Sequence, residues 1–85
     1  MYRIVFTRSA AKSLQKMPRD VARLVREKLE KIAVDPYASH PNATKLQGRD
    51  GYRLRLGDWR VIYEVQNDKL VILVLKIASR GEVYR

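Results

Sequence analysis

Residues 52–65 constrain the fold more than any other stretch, because apolar residues recur at every second position on either side of one two-residue break. Tyr52, Leu54 and Leu56 alternate with Arg53 and Arg55; Gly57-Asp58 interrupts; Trp59, Val61, Tyr63 and Val65 then alternate with Arg60, Ile62 and Glu64. A period of two belongs to a strand with one buried face, and a two-residue break containing glycine is the shortest link between antiparallel strands. The segment is therefore expected to be a β-hairpin with Leu56 facing Trp59, Arg55 facing Arg60, Leu54 facing Val61 and Arg53 facing Ile62. Residues of one parity share a face. Tyr52, Leu54, Leu56, Trp59, Val61, Tyr63 and Val65 then form an apolar bed, and Arg53, Arg55 and Arg60 stand together on the other side. Like charges directly opposite each other weaken a sheet, on a scale of roughly 0.2–1 kcal/mol for cross-strand pairs. An anion held between Arg55 and Arg60 would offset that cost; the plain alternative is that these arginines only solvate the sheet and guard its edges.

The bed needs helices, and the N-terminal half supplies two. Tyr2, Ile4 and Phe6 alternate as a first strand, after which Thr7 or Ser9 can cap a helix running to about Lys16 with Ala10, Ala11, Leu14 and Met17 on one side. Pro18 ends that helix and suits the first turn of a second. There Val21, Leu24, Val25, Leu29 and Ile32 repeat at spacings of three and four. Asp35-Pro36 should stop it, and residues 35–44 read as a loop. At the other end, Gln66-Asn67-Asp68-Lys69 turns the chain into a nearly continuous apolar strand from Leu70 to Ile77, expected to lie centrally with both faces covered. In that register Leu75 faces Arg60, and Arg80 leaves the sheet at the end where Arg55 and Arg60 lie. Residues 1–85 are expected to form one α+β domain.

Charge then narrows the partner. Eighteen Lys and Arg against nine Asp and Glu leave a net charge of +9, and 11 of the cations are arginines, whose planar fork grips phosphate and stacks on bases. Nucleic acid is the first candidate, ahead of acidic proteins and anionic membranes. With no cysteine and a single histidine, His40, in the loop, thiolate zinc sites and histidine-based triads are excluded. No lysine sits beside a glycine-rich phosphate loop. The longest apolar run, Leu70 to Leu75, is six residues against the ~18 of a membrane span, and the N-terminus lacks signal-peptide zones. A cytoplasmic protein is expected.

Three stretches carry a specific pattern: Lys45-Leu46-Gln47-Gly48, then Tyr52 through Val65, then Ser79-Arg80-Gly81-Glu82-Val83-Tyr84-Arg85. Together with Phe6-Thr7 leading into Ala10-Ala11-Lys12 and a two-helix hairpin, they resemble the RelE/ParE toxin superfamily, on its RelE side, over effectively the whole chain. The resemblance implies a β-α-α-β-β-β fold, an antiparallel sheet with a helical hairpin packed on one face and the first strand next to the last. It implies a ribosome-dependent endoribonuclease that cleaves mRNA in the ribosomal A site through attack of a ribose 2′-OH on the adjacent phosphate, without metal or cofactor, neutralised by a cognate RelB-like antitoxin. Carried over position by position, it implies catalytic roles for Arg55, Arg60, Arg80 and Tyr84, and RNA contacts from Arg53 and Lys45. Ser79 stands where many relatives have a histidine, so the general base is unassigned; Glu82 is the nearest spare carboxylate in sequence.

The second hairpin also leaves Ile62, Val71, Leu73 and Leu75 on the arginine face, an apolar patch that either the antitoxin or the chain's own tail or loop covers. Two other functions compete. One is a ParE-like toxin that poisons DNA gyrase by binding; the other is a non-catalytic RNA-binding module.

Overall fold

The computed structural model describes residues 1–79; Arg80, Glu82 and Tyr84, and the roles expected of them, lie outside the described residues. Strand β1 (Arg3–Phe6) hands over to helix α1 (Arg8–Lys16) at Thr7, whose hydroxyl oxygen accepts from the Ala10 N–H at 3.1 Å. Satisfying one orphan donor of the first turn is what makes threonine an effective cap. Pro18 caps α2 (Arg19–Val34) in extended backbone, one position before the helical turn it was expected to enter. Val25, Leu29, Ile32 and Ala33 are the buried stripe of α2, while Leu24, expected on that stripe, is exposed.

The chain returns as β2 (Ala43–Lys45), β3 (Tyr52–Leu56), β4 (Trp59–Gln66) and β5 (Val71–Ser79). These strands and β1 form one sheet in the order β1-β5-β4-β3-β2. As expected, β1 lies next to the last strand, and both helices pack on one face. Two features refine the expectation. The β1–β5 pair is parallel, so the sheet is mixed, and the end of the supposed loop pairs with β3 as a short edge strand. Parallel pairing is available because β1 and β5 are joined through the helices and the intervening strands rather than by a hairpin, which would impose the antiparallel direction.

The helix-side core is the bed read from the alternation: Leu54, Leu56, Val61 and Tyr63 are buried in it, with Tyr52, Trp59 and Val65 packed at its margin. Tyr52 and Tyr63, directly paired, stack with ring centroids 5.3 Å apart and planes 14° from parallel. Such aromatic pairs contribute about 0.5–1.5 kcal/mol beyond area burial.

Candidate functional site

The first hairpin has the expected register without exception, from Tyr52 opposite Tyr63 to Leu56 opposite Trp59. Gly57 takes φ 58° and Asp58 does not share the left-handed region, the pattern of a type II′ turn with glycine first. This turn sets Arg55 directly across from Arg60 on the face away from the helices.

The two arginines are not equivalent. Arg55 is exposed and its side chain has no hydrogen-bond or ion-pair partner among the described residues, whereas Arg60 retains only 7% of its accessible surface. Nη1 of Arg60 donates to the backbone carbonyls of Gly57 at 2.9 Å and Trp59 at 3.0 Å, so the turn itself orients the guanidinium. Its Nε is buried and has no partner among the described residues. A buried charged donor left unsatisfied is expensive, on the order of 1–3 kcal/mol or more. An anion beside Arg60 would remove that penalty and reduce the repulsion from Arg55 at the same time.

Arg53 shares the face one pleat further along, opposite Ile62, and lines two openings. The smaller, about 200 Å³, is formed with Arg55, Asn42 and Thr44. The larger, an open cleft of about 540 Å³, is floored by Ile62 and rimmed by Lys45, Arg49 and Arg53. Lys45 pairs with Tyr52, so its parity is that of the helix side, yet as the last residue of β2 it reaches the cleft from the strand's end. The structure thus gathers Arg53, Arg55 and Arg60 on one side of the sheet, brings Lys45 to the cleft at its edge, and adds Arg49, a loop residue that no periodicity marks.

The second hairpin departs from its expected register. Ala78, not Leu75, lies opposite Arg60. The turn begins one residue later than expected, with Gln66 paired to Val71, and Leu70 enters the left-handed region at φ 53°. Farther on, Ile62 pairs with Lys76 but Tyr63 pairs with Val74, so Leu75 is a β-bulge with no partner on β4. Its carbonyl is taken instead by the Thr7 hydroxyl, which donates at 2.9 Å. Val71 and Leu73 remain on the arginine face, opposite Gln66 and Glu64. Of the four apolar residues expected to form an open patch, Ile62 and Val71 are buried at 6% and 5% exposure, leaving Leu73 and Leu75 as the half-exposed ones. Beyond the bulge, parity inverts relative to expectation, and Lys76 comes onto the arginine face. No local spacing in the sequence marks this lysine.

Residues 4–84 match the family model of the ParE toxin of type II toxin-antitoxin systems, parDE. A putative RelE-like toxin protein of Escherichia coli is 30% identical over 88 residues, spanning 98% of this chain and 90% of its own length. The isolated E. coli RelE toxin superposes with a TM-score of 0.82 at 29% identity, over 99% of this chain and 92% of RelE. A chain of the archaeal RelE-RelB complex from Pyrococcus horikoshii OT3 matches with a TM-score of 0.80 at 35% identity, over 95% and 97% of the two chains.

Proposed function

The chain belongs to the ParE toxin family of type II toxin-antitoxin systems and is RelE-like within it, and on that premise we propose that it is a ribosome-dependent endoribonuclease that cleaves mRNA in the A site. The observation that carries the proposal is the Arg55–Arg60 pair: two arginines directly opposite in the register, one with its guanidinium turned by backbone carbonyls and holding a buried Nε that has no partner among the described residues. The group proposed to lie between them is a phosphodiester. In the reaction the 2′-oxygen attacks phosphorus, the bond to the 5′-oxygen breaks, and a cyclic phosphate and a 5′-OH result. Charge builds on the non-bridging oxygens in the transition state, where preorganised cations act most strongly. Arg60 and Arg55 take that role, with Arg80 assigned to it by its position in the family pattern and Tyr84 to stacking on a base or orienting the nucleophile.

Ribosome dependence suits an arginine-rich site. Guanidinium is a poor proton acceptor near neutral pH, so rate must come from holding the 2′-OH in line with the leaving oxygen, and an A-site codon held by the ribosome supplies that orientation. The partner proposed for the resting state is a RelB-like antitoxin, supported by the likeness to chains solved in RelE-RelB complexes; Leu73 and Leu75, half-exposed beside the basic groups, are its proposed contacts, with Ile62 and Val71 beneath.

The test maps mRNA 5′ ends after incubation with message alone and with translating ribosomes. Cuts confined to the A-site codon are expected, reduced about 10²–10³-fold in Arg60→Ala, the loss seen when one transition-state donor is removed. Because Arg60 also braces the turn, the exposed Arg55→Ala serves as the variant with an intact fold. Absence of cuts from folded protein that still arrests growth would overturn the nuclease reading and direct the next assay to DNA gyrase.

A further inference from the structure

Cations on the helix-free face are mostly arginines, and arginines bind phosphate without moving protons. On the sheet's grid, Arg55, Arg60 and Ala78 form one row across β3, β4 and β5, and Arg53, Ile62 and Lys76 form the next. Lys76 is thus a diagonal neighbour of Arg60, a relation that places Cα atoms about 7–8 Å apart, within reach of long side chains. The residue between Lys76 and the end of β5 on this face is Ala78, a short side chain directly opposite Arg60, and both are buried. Lys76 is half-buried, and its side chain has no hydrogen-bond or ion-pair partner among the described residues. Glu64, the acid of this face, lies four residues from Arg60 along β4, roughly 13 Å at strand rise, and accepts from Gln66 Nε2 at 3.2 Å.

We propose that Lys76 is the proton donor to the departing 5′-oxygen in the cleavage reaction, an inference that rests on the nuclease reading above. An ammonium releases a proton about 100-fold or more readily than a guanidinium, so among the cations around Arg60 it is the one suited to the task. With the phosphate between Arg55 and Arg60, the 2′-oxygen bonds to phosphorus and its proton passes to water. The phosphorus–O5′ bond breaks with its electron pair going to O5′, which takes a proton from the Lys76 ammonium. The neutral amine recovers a proton from solvent, and no other reactant is consumed. The bulge at Leu75 is what makes this possible: without it Lys76 would have the parity of Ile77 and point into the helix-side core.

The experiment compares wild type, Lys76→Arg and Lys76→Ala on programmed ribosomes carrying either ordinary mRNA or mRNA with sulfur in place of the scissile 5′-oxygen, a leaving group that departs without protonation. General-acid contributions run to about 10²–10⁴-fold. Both variants should therefore lose about 100-fold or more on ordinary mRNA, Lys76→Arg included although it keeps the charge, and both should come within about 10-fold of wild type on the sulfur substrate. Urea unfolding of Lys76→Arg confirms that the fold is intact. A wild-type rate in Lys76→Arg, or an equal loss on both substrates, would overturn the assignment while leaving the nuclease standing; a wild-type protein that cuts neither mRNA overturns the nuclease reading itself.

Discussion

The hairpin β3–β4 turns through Gly57-Asp58 and keeps one register along its length, whereas the hairpin β4–β5 turns through Asn67–Leu70 and slips by one residue midway. Both share β4, so the difference lies in what sets the pairing. In the first, a glycine at φ 58° closes a two-residue turn, and every later pair follows from it. In the second, a leucine occupies the left-handed position, and a bulge is held open by Thr7, 68 residues away in sequence. A local turn fixes a local register; a bulge depends on whatever distant group satisfies the carbonyl it frees. The arginines of the site belong to the first kind of hairpin and Lys76 to the second.

Deleting Leu75 tests this contrast most severely. Val74 is then followed directly by Lys76, and continuous pairing keeps Lys76 opposite Ile62, Ile77 opposite Val61 and Ala78 opposite Arg60, so the faces are preserved while the bulge and the carbonyl that Thr7 holds are lost. The Thr7 hydroxyl is left without its acceptor, a loss of about 3 kcal/mol at the upper end of the cost of an unsatisfied buried group, and the urea midpoint should drop accordingly; a variant that unfolds like wild type would mean that the slip is tolerated rather than required.

Next in size is Gly57→Val. A β-branched residue in the left-handed region is strained by about 1–3 kcal/mol, and the loss should appear as a lower urea midpoint at unchanged slope. Cleavage should fall as well, because the Gly57 and Trp59 carbonyls orient Arg60. Thr7→Val is expected to cost about 1–2 kcal/mol, combining loss of the α1 cap with an unsatisfied Leu75 carbonyl. Thr7→Ser retains the hydroxyl and should recover most of it; failure to do so would assign the loss to the methyl and its packing.

The same contrast explains what could be read in advance. Alternation around Gly57-Asp58 carries the face, the register and the Arg55–Arg60 opposition, because each is decided within a few residues. The two helices and the Thr7 cap are equally local. Strand β2 escaped notice because three edge residues, Ala43, Thr44 and Lys45, are too few to display a period. The positions of Arg49 and Lys76 near the arginines are not legible in the sequence for a different reason: one reaches the cleft through loop geometry, the other the arginine face through a bulge whose partner lies at the opposite end of the chain.

Tyr63 is where the two hairpins meet, paired with Tyr52 on one side and with Val74 at the edge of the slip on the other. Its hydroxyl is pushed up from 10.0 to about 12, chiefly because burial disfavours the phenolate and secondarily because Tyr52 lies alongside. Below pH 10 both folded and unfolded chains hold this proton, and its contribution to stability does not change. Between pH 10 and about 12 the unfolded chain releases it while the folded chain retains it, so stability falls as pH rises; above about 12 both are ionised and the decline ends. Urea midpoints measured across that window should drop in wild type and drop less in Tyr63→Phe, with Tyr52→Phe between them. If Tyr63→Phe follows the wild-type curve, the junction of the two hairpins is solvated, and the stacked pair cannot be the dry seam that separates the regular register from the slipped one.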